Sequence, residues 1–187
     1  MTIYVELIGA VLGEVECALR SVDPGSVAAF RTEIRRARRV FVAGAGRSGL
    51  CMRAFAMRLM HLGLPVHVVG DATAPGLGET DLLLIGSGSG RTASLVQHAA
   101  CARSLKARVA LITTASLSPL SEHADCVVRL VAPTPKRDDS DDALSIQPMG
   151  SLFEQALSLL LDVIILQLMA DLSVGAEQMF ERHANLE

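Results

Sequence analysis

Apolar residues fall at Ile3, Leu7, Val11, Val15 and Leu19, close to one per helical turn, and that spacing predicts a helix over residues 3–19. Asp23-Pro24-Gly25-Ser26 interrupts it, and a shorter helix follows with Val27, Phe30, Ile34 and Ala37 on one face. From Arg39 onward the pattern changes. Short apolar runs at 40–43, 65–69, 82–85, 108–113 and 126–131 read as five strands, with helical stretches over 49–62 and up to about residue 105. Strands alternating with helices predict a parallel sheet covered on both faces. Right-handed crossovers then bring every strand-to-helix turn to one edge of the sheet, where such sheets bind ligands. The charged run KRDDSDD at 136–142, flanked by Pro133, Pro135 and Pro148, predicts a surface loop between the sheet region and the C-terminal helices.

Residues 151–170, SLFEQALSLLLDVIILQLMA, are apolar almost all round and long enough to span a bilayer. Asp162 stands near the middle, where a charge costs roughly 2.5–3.5 kcal/mol on insertion. Glu154 and Gln167 also lie inside the stretch, and no Lys or Arg flanks it directly. The expectation is a helix buried in the core or between subunits, with no membrane partner.

Composition removes further classes. The 187 residues amount to about one domain at ~150 residues each, and a hydrophobic half of the chain is enough to build its core. Aromatic residues make up 3%, there is no Trp, and the net charge is −3. Little is left for stacking bases or attracting a phosphodiester backbone, so no nucleic-acid partner is expected. Cys17, Cys51, Cys101 and Cys126 form no CxxC pair and read as reduced core residues of a cytoplasmic protein. Glu6, Glu14 and Glu16 stand where a secretion signal would need a basic and then an apolar run. Arg31, Arg35, Arg36, Arg38 and Arg39, with Glu33 interleaved, read as a solvated helix face.

The candidate chemistry sits in two echoing segments. VFVAGAGRSG from Val40 and LLLIGSGSGRT from Leu82 each run from an apolar strand through small and hydroxyl residues into a helix. Gly44 to Gly49 matches GxGxxG, and Asp71 follows at about the twenty-residue spacing of a ribose-binding acid. That is a dinucleotide signal. In the second segment Ser87, Gly88, Ser89, Gly90, Arg91 and Thr92 combine backbone freedom with hydroxyl donors around one small anion. With Ser48 added, such a pocket suits a phosphomonoester better than a pyrophosphate. The competing reading is a turn in which Thr92 caps the next helix. Arg47 and Arg91 flank the loops and offer charge to a phosphate. Ser151 and Glu154 form S-x-x-E, which by spacing alone is a capping box for the helix that follows.

These loops, with AMRLMHLG at 56–63, PMGSLFE at 148–154 and RHANLE at 182–187, resemble the sugar-isomerase (SIS) domain family, and within it the 6-phospho-3-hexuloisomerases. The likeness runs over nearly the whole chain. It implies a single SIS domain over 1–187, a three-layer αβα sandwich whose five-stranded parallel sheet has the flavodoxin-like order, with extra N- and C-terminal helices. It implies an enzyme that interconverts arabino-3-hexulose 6-phosphate and fructose 6-phosphate through an enediol in the ribulose monophosphate pathway of formaldehyde fixation. The partner is then a small sugar phosphate, with no metal and no cofactor. By the same resemblance Glu154 is the base, and His183 and His61 are assisting acids. His183 is a candidate for service in a neighbouring subunit. The substrate-binding set is Arg47, Ser48, Ser87, Gly88, Ser89, Gly90, Arg91 and Thr92. The all-round apolar character of the 151–170 helix predicts a homo-oligomer held partly by it and by the first helix, and the family likeness makes it a homotetramer, a dimer of dimers. His67, His98 and His123 are given no role. A non-catalytic phosphosugar-sensing module and a dinucleotide-binding oxidoreductase remain the alternatives. The first is disfavoured because no helix-turn-helix accompanies the domain.

Overall fold

The strand residues are in phase with two separate apolar layers. In the computed structural model, which describes residues 3–133 and 145–186, Val40, Val42, Leu82, Leu84, Ala110 and Ile112 enter one core. Their alternates Phe41, Ala43, Leu83, Ile85, Val109 and Leu111 enter the other. This period-two alternation with both sets buried is what a fully covered sheet requires. The strands are β1 (Val40–Gly44), β2 (Val66–Val68), β3 (Leu82–Gly86), β4 (Arg108–Thr113) and β5 (Cys126–Arg129). All pair in parallel in the order β2-β1-β3-β4-β5, the flavodoxin-like arrangement.

The helices are α1 (Ile3–Arg20), α2 (Pro24–Arg36), α3 (Gly46–His61), α4 (Ala93–Ser104), α5 (Ser151–Leu172) and the short α6 (Ala176–Phe180), with a 3-10 turn at Ser121–His123. Residues of α1, α2, α3 and α5 build the first core, and α4 with Leu120 builds the second. Asp23 caps α2 by accepting from the Ser26 amide at 2.8 Å, one residue before the Pro that opens the helix. The two central strands end in register, Gly44 opposite Gly86. From there β1 hands the chain to α3 on one face and β3 hands it to α4 on the other, so the two glycine segments emerge side by side at the switch point of the sheet.

Several details differ from the sequence expectation. The first segment is not a loop before a helix starting at Gly49: α3 begins at Gly46, so Arg47 and Ser48 lie in its first turn. β5 stops at Arg129 and α5 continues to Leu172. All four cysteines are free, but Cys17 and Cys101 are exposed and are not core residues. Of the basic run, Arg31 pairs with Asp171 at 3.0 Å and Arg39 with the buried Asp81 at 2.6 Å, so part of it ties α2 and the sheet to their neighbours. The 136–142 run lies outside the described residues.

Helix α5 is long and apolar enough to cross a membrane, and half of its most apolar window is packed inside the fold. Leu157, Leu161, Ile164 and Leu168 are buried against α1 and α3, whereas Leu159, Val163 and Leu166 remain exposed on its outer side. The expected stripe on α1 is likewise only half used. Val15 is buried, but Ile3 and Leu7 are 75% and 51% exposed.

Candidate functional site

A cleft of about 440 Å³ opens at the switch point, lined by Ala45, Gly46, Arg47 and Ser48 from the first segment, Gly86 to Ser89 and Thr92 from the second, and Met149 to Ser151 with Phe153 and Glu154 at the start of α5. That volume falls in the range of small-molecule sites, about 300–1,000 Å³. The N-termini of α3, α4 and α5 all line it. First-turn amides have no intrahelical acceptor and carry the positive end of the helix dipole, so the cleft is built for an anion.

The glycines are set by local packing. A Cβ on Gly44 would meet the Gly49 backbone at 2.8 Å, which is how α3 starts so close to its strand, and Gly46 has φ +56. In the second segment Gly90 has φ +63, and a Cβ there would run into Ser118. The carbonyl of Gly88 accepts from the Thr113 and Thr114 hydroxyls at 3.0 and 2.9 Å, so the end of β4 holds the loop in shape. Sequence reasoning did not single out these two threonines; as adjacent hydroxyls ending a strand beside a glycine loop, they carried a signal that could have been used.

The hydroxyls of Ser48, Ser87 and Thr92 make no hydrogen bond to the described protein residues, although Ser48 and Ser87 are buried. Hydroxyls that line a cleft without a protein partner are free to donate to a ligand, and three of them around a single cleft suit a bound oxyanion. Thr92 occupies the cap position of α4 but its side chain makes no cap bond, so the capping alternative for it fails. Ser89 accepts from the Arg91 amide at 3.3 Å. Arg91 and Gly90 belong to the loop but do not line the cleft.

Glu154 is not half of a capping box. The cap of α5 is Gly150 with no side-chain bond, because the helix begins one residue earlier than the S-x-x-E reading requires. Ser151 instead accepts from Arg47 Nη1 at 3.0 Å, and the same Nη1 lies 3.1 Å from Glu154 Oε2. The carboxylate therefore stands at the cleft wall as an ion pair, not isolated in apolar surroundings. Cys51 lies beside this pair and donates to the Glu154 carbonyl at 3.4 Å; burial first, then the Glu154 charge, push its thiol up.

His61 and His183 are brought together, but elsewhere. Their rings stack with centroids 5.6 Å apart, Phe180 stacks on His183, and Arg182 donates to the His61 carbonyl at 2.9 Å. His61 is 3% exposed, and burial, then Arg58 and His183, depress its basicity. It closes α3, whereas the cleft lies at that helix's start. From Gly46 to His61, rises of about 1.5 Å each put His61 roughly 22 Å along the helix from its start. Asp71, the anchor of the dinucleotide reading, does not line the cleft and its carboxylate accepts from Arg53 at 2.8 Å. Among the described residues no group of three or more His, Cys, Asp or Glu side chains is placed to hold a metal ion.

A parallel five-stranded sheet with an anion cleft of glycine and serine loops at its switch point defines a phosphosugar-type α/β domain, and the SIS domain matches residues 33–159. The chain belongs to the SIS domain family, and within it to the isomerases. It is 42% identical over 182 residues to the 3-hexulose-6-phosphate isomerase of Bacillus subtilis, covering 97% of this chain and 98% of that protein. It is 46% identical to the protein of the same name from Mycobacterium gastri, covering 96% and 89%. A solved structure from Methanococcus jannaschii, for which a 3-hexulose-6-phosphate isomerase function was inferred, superposes with a TM-score of 0.84 at 31% identity, covering 97% of this chain and 99% of that one.

Proposed function

We propose that this isomerase interconverts arabino-3-hexulose 6-phosphate and fructose 6-phosphate, the step that follows formaldehyde fixation in the ribulose monophosphate pathway. The observation that carries the reading is a carboxylate, Glu154, in the same cleft as unpartnered hydroxyls from both glycine loops. Ser48, Ser87, Ser89 and Thr92 with the helix-start amides hold the phosphate, and Arg47 adds its charge on the Glu154 side. The sugar then reaches across to Glu154. Its carboxylate takes the proton from C2 of the 3-ketose while O3 gains a proton, giving the C2–C3 enediol; the proton then returns to C3 as O2 gives up its own. The carbonyl has moved from C3 to C2 and nothing is consumed.

His61 and His183 fit this reaction as proton donors to the sugar oxygens of a neighbouring subunit, since their own cleft is out of reach. The exposed apolar rows on α1 and α5 are the surfaces for that assembly, a homotetramer by family likeness, in a cytoplasmic setting. The direct test is conversion of the 3-hexulose ester to fructose 6-phosphate, run beside calorimetry with fructose 6-phosphate, NAD and NADP. Turnover with sugar-phosphate binding and no dinucleotide binding is expected. Tight dinucleotide binding without sugar-phosphate binding would overturn the reading.

A further inference from the structure

Glu14 lies on α1, away from both glycine loops, yet its carboxylate is fully engaged. Oε2 accepts from Ser145 Oγ at 2.7 Å and from Gln147 Nε2 at 2.9 Å, and Oε1 accepts from the Ile146 amide at 2.8 Å. Ser145 Oγ accepts in turn from the Gln147 amide at 3.0 Å. These donors, Gln147 foremost, hold the Glu14 carboxyl below its ordinary range against a burial penalty. The clasped segment leads straight into the cleft wall. Pro148 accepts from the Ser151 amide at 3.2 Å, Met149 takes φ +58, and Gly150 caps α5 and accepts from the Glu154 amide at 3.0 Å. A non-glycine residue at that φ is strained and persists only where its flanks are fixed from outside. On one flank the fixing is the helix itself. On the other it is Glu14.

We propose that Glu14 is a positioning residue for the reaction: it clamps residues 145–147 so that the Pro148–Gly150 turn sets the start of α5, and with it Glu154, against the substrate. The inference rests on the function proposed above. It predicts a division of effects, because the phosphate loops do not touch the clasp. Glu14→Ala should lower kcat by about 10–100-fold, the scale of a misplaced catalytic group, while KM stays within about threefold. Glu14→Gln keeps one acceptor oxygen and should fall between Ala and the wild type. Gln147→Ala, which removes one donor from a surface segment, should lower kcat about threefold without changing the melting temperature.

The experiment measures kcat, KM and melting temperature for these variants of the full chain, with amide hydrogen exchange over residues 145–150. A kcat within twofold of wild type in both Glu14→Ala and Gln147→Ala overturns the proposal. If Glu14→Ala does not fold, Gln147→Ala decides alone: lowered kcat at unchanged KM supports the clasp, and unchanged kcat sinks it. Should the wild type fail to turn over the 3-hexulose ester, the proposed function falls. The exchange data then decide the clasp, with faster exchange over 145–150 in the variants supporting it and unchanged exchange overturning it.

Discussion

The two ends of α3 solve opposite problems. At its start the chain exposes helix amides and hydroxyls with no protein partner, around glycine loops held by the Thr113 and Thr114 hydroxyls and closed by close backbone approach at Gly44. At its end His61, His183, Phe180 and Arg182 are engaged with one another, stacked and hydrogen-bonded. The first end is a polar surface that stays in place because the sheet holds it; the second is a cluster of side chains that engage one another. A binding site can be built from the backbone of one chain, because one central pair of strands delivers both loops. The His61–His183 cluster lies roughly 22 Å away along the same helix, and under the proposed function it acts on a neighbouring subunit's cleft. Under that proposal one end captures the substrate and the other assists across subunits, a division that can be tested end by end.

The largest effect should come from spoiling the open end. Ser87→Asp puts a carboxylate among the amides and hydroxyls meant for the phosphate, so sugar-phosphate binding should disappear in calorimetry. The His61–His183 end should be untouched, and the histidine ring signals in NMR should not shift. Retained binding in Ser87→Asp would move the phosphate site elsewhere. Next comes Glu154→Gln. It preserves volume and cannot accept the C2 proton, so turnover should fall by ~10²–10⁴-fold while fructose 6-phosphate still binds. Solvent deuterium should no longer appear at C3 of fructose 6-phosphate. Near-full activity would leave Glu154 as the partner of Arg47 and nothing more.

The far end is tested by mixing. His183→Ala alone should cost roughly 10²-fold, as the lower end of what an acid supplies. If the pair serves a neighbour's cleft, refolding equal amounts of Glu154→Gln and His183→Ala subunits should restore about a quarter of wild-type activity. Half of the paired subunits would then be mixed, and one of their two sites would be intact. No recovery would place His183 outside the reaction or inside its own chain's site, and a monomer by light scattering would exclude the cross-subunit arrangement outright.

Much of this division could be read from the sequence. The strand runs, the glycine pattern and the hydroxyls of Ser48, Ser87 and Thr92 are local features, and local features survive translation into structure because right-handed crossovers leave few choices for where the loops go. The helical stretch over 49–62 already put His61 at the far end of the helix that follows GRSG. What could not be read is that His183 stacks on His61 there, because more than a hundred residues separate the two. At the start of α5 the capping-box spacing of Ser151 and Glu154 is not used as a cap: Gly150 takes that position, and both side chains turn to Arg47. The Glu14 clasp was beyond reach, since its partners lie more than a hundred residues away along the chain. Cys17 and Cys101 were placed in the core on residue type alone, and the helix faces that carry them are exposed.

The smallest expected effect is at Thr92, and it separates the two uses of a hydroxyl at a helix start. If the side chain capped α4, Thr92→Ala would cost about 1 kcal/mol of stability, a fall of roughly 2–4 °C in melting temperature for a chain of this size. The hydroxyl makes no cap bond, so the melting temperature should stay put. The same side chain lines the cleft, and one hydrogen bond to a charged phosphate is worth about 1.5–3 kcal/mol. Fructose 6-phosphate affinity should therefore fall by roughly 10- to 100-fold if that bond is made in full, and less if water replaces it. Thr92→Ser should restore binding, because it returns the hydroxyl and removes only a methyl group. A lowered melting temperature with unchanged affinity would make Thr92 a cap after all, and would take one hydroxyl away from the open end of α3.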